Sequence, residues 1–215
     1  MGTMQCVEDL RSVYRQPGRG PIDKVIHQLD QHCEAFLAQS PLFVLSTASA
    51  EGVCDGSPKG GPPGFVQVLD AHHVAWADFS GNNRLDSFQN VVDNPSAALL
   101  FMIPGLDETL RLNGTVELTT DPALCQRMAI NGKPARVVAV FTVIEAYIHC
   151  PKALHRSQLW SPASWPAEDD LPSATRMIRD HVGLDVDLAT IEQGRQRDLE
   201  KTLWEPGGSN ETAAS

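Results

Sequence analysis

The chain has 215 residues, 42% of them hydrophobic and 20% charged, with a formal net charge of -10. That length suits one hydrophobic core with terminal additions, and so acidic a chain repels phosphate backbones, which argues against general nucleic-acid binding. Cys6, Cys33, Cys54, Cys125 and Cys150 are dispersed and form no CxxC pair. That spacing argues against a disulfide framework or a structural zinc site and fits a reducing cytoplasm. The N-terminal residues lack an apolar signal core, and no run approaches the roughly 18 apolar residues of a membrane helix.

In chain order, Val25, Ile26, Leu29, Cys33, Phe36 and Leu37 recur at three- and four-residue steps, so the first forty residues read as helical. Pro41 ends that stretch. Leu42 to Thr47 reads as a strand, Glu51-Gly52 as a turn, and Val53 to Ser57 as extended chain. Gly60-Gly61-Pro62-Pro63-Gly64 reads as a loop. Phe65 to Leu69 and His73 to Ala77 form a hairpin pattern. Arg84 to Val92 has helical spacing, stopped by Asn94-Pro95. Ala97 to Ile103 and Thr109 to Leu118 read as strands, and Asp121-Pro122 opens a helix through Met128 with Asp121 as N-cap. Val137 to Tyr147 is a long β-branched and aromatic strand. A Pro/Ser/acid-rich linker covers 160–172, followed by peripheral helices over 174–181 and 188–204. About six strands with short connections predict a mainly β (α+β) fold, an antiparallel barrel with peripheral helices. The organisation expected is a helical segment over 1–40, a barrel over 41–160, a linker and helices over 161–205, and a frayed tail over 206–215.

Four stretches carry candidate chemistry. Trp76-Ala77-Asp78-Phe79-Ser80-Gly81-Asn82-Asn83-Arg84-Leu85-Asp86-Ser87 runs from a strand end through a Gly/Asn loop into a helix start. The exposed N–H groups of such a start attract phosphate, Arg84 adds a forked cation, and Ser87 adds a hydroxyl one turn on. A capped helix with a solvated Arg is the alternative. Asp55-Gly56-Ser57-Pro58-Lys59-Gly60 places Lys59 where it could neutralise a phosphate or stand by a flavin ring; a surface loop is the plainer reading. Thr109, Arg111 and Asn113 share one strand face, turned either to solvent or to a ligand or subunit interface. His149-Cys150-Pro151-Lys152-Ala153-Leu154-His155 follows a strand directly. Neighbouring His149 and Cys150 point to opposite faces, so no metal site is expected.

Read together, these stretches resemble the pyridoxamine 5'-phosphate oxidase-related, FMN-dependent flavoproteins. The order that carries the resemblance is Trp76-Ala77-Asp78, then Asp93-Asn94-Pro95-Ser96-Ala97-Ala98-Leu99-Leu100-Phe101, then Arg111-Leu112-Asn113-Gly114-Thr115-Val116-Glu117. Ser57-Pro58-Lys59-Gly60, Gly81-Asn82-Asn83-Arg84 and His149-Cys150-Pro151-Lys152-Ala153 resemble a bacterial subgroup. The resemblance implies a six-stranded split barrel that forms a homodimer, with FMN at the subunit interface and a small-molecule substrate. It implies that Ser57, Pro58 and Lys59 line the isoalloxazine, with Trp76, Ala77 and Asp78 along the next strand. Asn83, Arg84 and Ser87 would hold the phosphate and ribityl chain. Thr109 and Arg111 would reach the cofactor from the neighbouring strand or subunit, and Lys152, Ser157 and Trp160 would complete the site from the partner subunit. The chain lacks the family's Arg-rich first FMN strand and C-terminal Arg-x-His segment, so the resemblance does not extend to vitamin B6 oxidation. The expected activity is FMN-dependent redox chemistry between an organic substrate or nicotinamide and an acceptor, with a deazaflavin in place of FMN left open. His149 and His155 are the titratable candidates near neutral pH. The alternative is a non-catalytic split barrel that binds FMN, or haem through His149 or His155.

Overall fold

The structure, a computed structural model, describes residues 2–208. Seven strands form one antiparallel sheet: β1 (Leu42–Ala48), β2 (Cys54–Gly60), β3 (Gln67–Asp70), β4 (His73–Ala77), β5 (Ser96–Met102), β6 (Thr109–Thr119) and β7 (Val138–His149). Their order is β2-β1-β5-β6-β7-β4-β3. The helices are α1 (Val7–Val13), α2 (Arg19–Asp23), α3 (Gln31–Gln39), α4 (Asp86–Asp93), α5 (Pro122–Arg127), α6 (Lys152–Ser157), α7 (Ala174–Val182) and α8 (Leu188–Thr202). None of them is long and apolar enough to cross a membrane.

The sheet curls because its inner face must close on itself to leave water. Phe43, Leu45, Leu99, Phe101, Leu112, Trp76 and Phe141 are all essentially inaccessible. Phe43 of β1 meets Phe101 of the adjacent β5, with ring centroids 4.9 Å apart. It also meets Trp76 of β4, edge-on at 5.1 Å, although β1 and β4 are not neighbours in the ladder. Such offset and edge-to-face pairs add to the area they bury. The end strands β2 and β3 do not pair with each other, which leaves a split beside β2 and β4. The mainly β architecture with peripheral helices is therefore as read from the sequence, with seven strands rather than six and without full closure.

Gly114 fixes the phase of β6 against β7. The register slips between Asn113 and Gly114, leaving Ile144 as the extra residue of a bulge. A Cβ at Gly114 would lie 1.9 Å from the Thr142 carbonyl oxygen and 2.9 Å from the Phe141 ring. Glycine is obligatory there on steric grounds.

Two local expectations change. The apolar stripe from Val25 is not one helix: Ile26 pairs with Ala146 as an isolated β-bridge. The helix begins only at Gln31, where the Asp30 carboxylate accepts from the His32 and Cys33 amides. Pairing with β7 overrides the helical period. At the other end, Pro206 and Gly207 are buried and Pro206 bridges Phe79, where a frayed tail was expected. The remainder of that tail, 209–215, lies outside the described residues.

Candidate functional site

The split in the sheet is the candidate site. Asp55, Ser57 and Lys59 alternate on β2, so all three project to the same side and are half-buried. Across the split, β4 delivers Trp76, Ala77 and then Asp78. The chain next turns through Phe79–Leu85 into α4, with Asn83 and Leu85 both in the left-handed region at φ 56° and 59°. Such backbone is sparsely populated by non-glycine residues and collects at ligand clamps. Leu85 is the N-cap of α4 but supplies no side-chain cap, so the first-turn N–H groups are not capped by a side chain. Asn90 and Asn94 fasten α4 to β1, donating to Thr47 Oγ1 at 3.0 Å and to the Ala48 carbonyl at 3.1 Å.

Two adjoining cavities follow from this arrangement. One, of about 580 Å³, is lined by Ser57–Gly61, Phe65, Trp76–Asn82 and Trp204. The other, of about 160 Å³, runs from Asp55, Ser57 and Lys59 to the Asn82–Phe88 turn. They share Ser57, Lys59, Asp78, Phe79, Gly81 and Asn82, and so form one cleft. Its wide part suits a drug-sized ring system. Among the described residues, the indole N–H of Trp76 is the one buried side-chain donor without a partner, and Trp76 lines the wide part. A buried unpaired donor costs about 1–3 kcal/mol, which a ligand acceptor would recover.

Electrostatics of the narrow part are more balanced than the sequence suggests. Lys59 and Arg84 face three carboxylates: Asp55, Asp78 and Asp86. The Arg84 side chain is 72% exposed and its guanidinium bonds to Asp86, Nε donating to Oδ2 at 2.9 Å. Ser87 is buried and its hydroxyl donates to Asp55. Burial pushes the Asp78 carboxyl above its usual range, partly opposed by the Lys59 charge. The Lys59 ammonium also stands 5.4 Å over the Phe88 ring.

Nine of the sequence-predicted residues line this cleft: Ser57, Pro58, Lys59, Trp76, Ala77, Asp78, Asn83, Arg84 and Ser87. Five do not line it within one chain. Arg111 lies on the outer face of β6, donating to Tyr147 Oη at 3.1 Å, and Thr109 is buried at the strand's start. Lys152 and Ser157 lie on α6, and Trp160 follows it, its indole donating to the Leu106 carbonyl at 2.9 Å. The histidines also stand apart from the cleft. His149 is held below its ordinary pKa by burial and by the Arg111 and Lys24 charges, and His155 contacts Asp107 at 3.1 Å. Sequence reasoning missed Asp55, Phe65, Asp86 and Trp204. The period-two spacing of Asp55 with Ser57 and Lys59 was available as a signal; nothing local marks Trp204.

A curled, split antiparallel sheet of this order, with peripheral helices, is a split-barrel fold. The chain belongs to the pyridoxamine 5'-phosphate oxidase family, whose model matches residues 29–150, more than half of its length. Among curated proteins none matches. Similar solved structures include a single-residue variant of HupZ from Group A Streptococcus, at 18% identity and a TM-score of 0.46, covering 56% of this chain and 98% of that one. A putative pyridoxamine 5'-phosphate oxidase from Lactobacillus delbrueckii shares 18% identity with a TM-score of 0.42, covering 57% and 99%. An FMN-binding protein from Syntrophomonas wolfei shares 11% identity with a TM-score of 0.42, covering 54% and 81%.

Proposed function

We propose that the protein is an FMN-dependent oxidoreductase acting as a homodimer on a small organic substrate or nicotinamide. The observation that carries this reading is the cleft itself, where the unpartnered Trp76 donor, Lys59 and the α4 turn converge in a member of this family. The donor set fits the group. The wide part offers an indole N–H, a hydroxyl and an ammonium to a heteroaromatic ring, and the narrow part offers uncapped helix amides to a phosphate. The Arg84–Asp86 pair must open for Arg84 to serve; exposed ion pairs are weak, so this exchange is cheap.

FMN would supply hydride and electron transfer. The residues of the chain do the rest. Ser57 and the Trp76 N–H orient the ring, and Lys59 offsets negative charge on it. Asp78, whose carboxyl holds its proton more readily than usual, lines the wide part together with Lys59. Asn83 and Arg84 anchor the phosphate end, and Ser87 joins them when its hydroxyl turns from Asp55. Thr109, Arg111, Lys152, Ser157 and Trp160 come from the second copy, which accounts for their standing apart from the cleft of their own chain.

The test is direct. The purified protein is denatured and the released chromophore identified by mass, and the native mass is measured by sedimentation. FMN and a dimer are expected; a colourless protein that takes up no FMN overturns the reading. Turnover of a reduced nicotinamide or organic donor then separates an oxidoreductase from a cofactor-binding module without catalysis.

A further inference from the structure

A second cavity of about 380 Å³ adjoins the cleft and shares Phe65, Ala77, Phe79 and Trp204 with it. Its other walls are the buried Met128 and Ile130, carried by the end of α5 and the turn after it. Among the described residues lining it, none is charged. The polar side chains are Gln67 and Asn131, and the Gln67 carbonyl already accepts from Arg127 Nε at 3.1 Å.

The partition between pocket and cleft is built from far along the chain. After α8 the chain returns as a strap. Ser80 N–H donates to the Glu205 carbonyl at 2.8 Å, and Gly207 N–H to the Asp78 carbonyl at 2.9 Å. Lys133 holds Glu205 at 2.7 Å from the opposite side. A Cβ at Gly207 would fall 2.0 Å from an Asp78 carboxylate oxygen, so only glycine allows the strap to lie this close. Pinned on both sides, the strap sets Trp204 edge-on to Phe79, with centroids 5.8 Å apart and planes at 76°. Trp204 lines the pocket and remains 43% exposed.

We propose that this pocket binds a neutral, planar aromatic molecule as the substrate beside the cleft, and that Trp204 is its specificity-determining wall. Three aromatic rings, Phe65, Phe79 and Trp204, offer faces and edges to a flat ring. A charged ligand would lose its water with no counter-charge on the lining, which disfavours anions and cations alike. The assignment of this ligand as substrate rests on the flavin reading; the pocket's preference for a neutral ring does not.

The flavin-loaded protein is titrated calorimetrically with naphthalene-2-carboxamide and with naphthalene-2-carboxylate, which share a shape and differ in charge. The carboxamide binds at least about tenfold more tightly. Trp204→Ala weakens it by about tenfold and Trp204→Phe by less, since an aromatic face remains. Asn131→Lys lies outside the cofactor cleft and shifts the preference toward the carboxylate. Flavin content is read from the absorbance of each variant. Equal or tighter carboxylate binding by the unaltered protein, binding of neither probe, or unchanged affinities in both Trp204→Ala and Asn131→Lys would overturn the proposal. Carboxamide binding by a protein that takes up no FMN sinks the flavin reading and leaves the pocket's preference standing.

Discussion

Gly114→Ala tests whether the β6–β7 bulge holds the sheet in phase. The added methyl would sit 1.9 Å from the Thr142 carbonyl oxygen, more than 1 Å inside any tolerated contact, with the Phe141 ring at 2.9 Å closing the other escape. Both obstacles lie in the ladder or the core, so β6 and β7 must part. Overpacking costs about 1–3 kcal/mol, and one or two lost ladder hydrogen bonds add about 1 kcal/mol each. The sum, roughly 2–5 kcal/mol, is a large share of the roughly 5–15 kcal/mol that holds a domain folded. With a urea slope of about 3 kcal/mol per molar, the unfolding midpoint falls by at least about 0.7 M. Gly56→Ala is the control: it lies on the end strand β2 with open space around the same position and should leave the midpoint nearly unmoved. A Gly114→Ala midpoint equal to that of the parent protein would refute the steric argument.

Arg84→Ala weakens FMN binding by about tenfold, whereas Asp86→Asn strengthens it by releasing Arg84; fluorescence titration measures both, and an unchanged constant in either variant removes Arg84 from the phosphate site. Lys59→Ala makes the flavin's reduction potential more negative, because a cation beside the ring stabilises the reduced anion; spectroelectrochemistry reads the shift, and an identical potential counts against that placement. Asp78→Asn probes a carboxyl whose folded pKa is raised by burial. Such a group costs nothing while protonated in both states, and its cost grows as pH rises from the unfolded value of 3.8 through the raised folded value. The variant should therefore gain stability over the parent at neutral pH and lose that advantage in acid. A stability difference that does not vary with pH would contradict a desolvated Asp78.

Regular elements were legible where local chemistry and tertiary packing agree. Asp121 followed by Pro122 marks α5, and the Asp121 carboxylate does accept from the Leu124 amide at 2.8 Å. The β-branched run of β7 and the alternation of β6 were readable for the same reason. The stripe from Val25 to Leu37 misled because Ile26 serves a bridge to Ala146 rather than a helix face. The short α6 carries no buried residue and hence no periodic signal. At the site, the loop from Asp78 to Ser87 was visible as a Gly/Asn break before a helix. The carboxylates that neutralise it were not, because residue type alone does not say that Asp55 turns to Ser87 and Asp86 to Arg84. Trp204 was invisible because its partner Phe79 belongs to another part of the chain.

The Phe79–Pro206 bridge joins positions 127 residues apart (206 minus 79). At a ribosomal pace of about 5–20 residues per second, roughly 6–25 s pass between the synthesis of the two. Once β7 ends at His149 the nascent chain can carry the full sheet, and until Pro206 follows, its opening has no cover and its Asp78 is still wet. If the recess holds the proposed cofactor, its capture would follow completion of α8, and any pause in translation before Pro206 would prolong the uncovered stage.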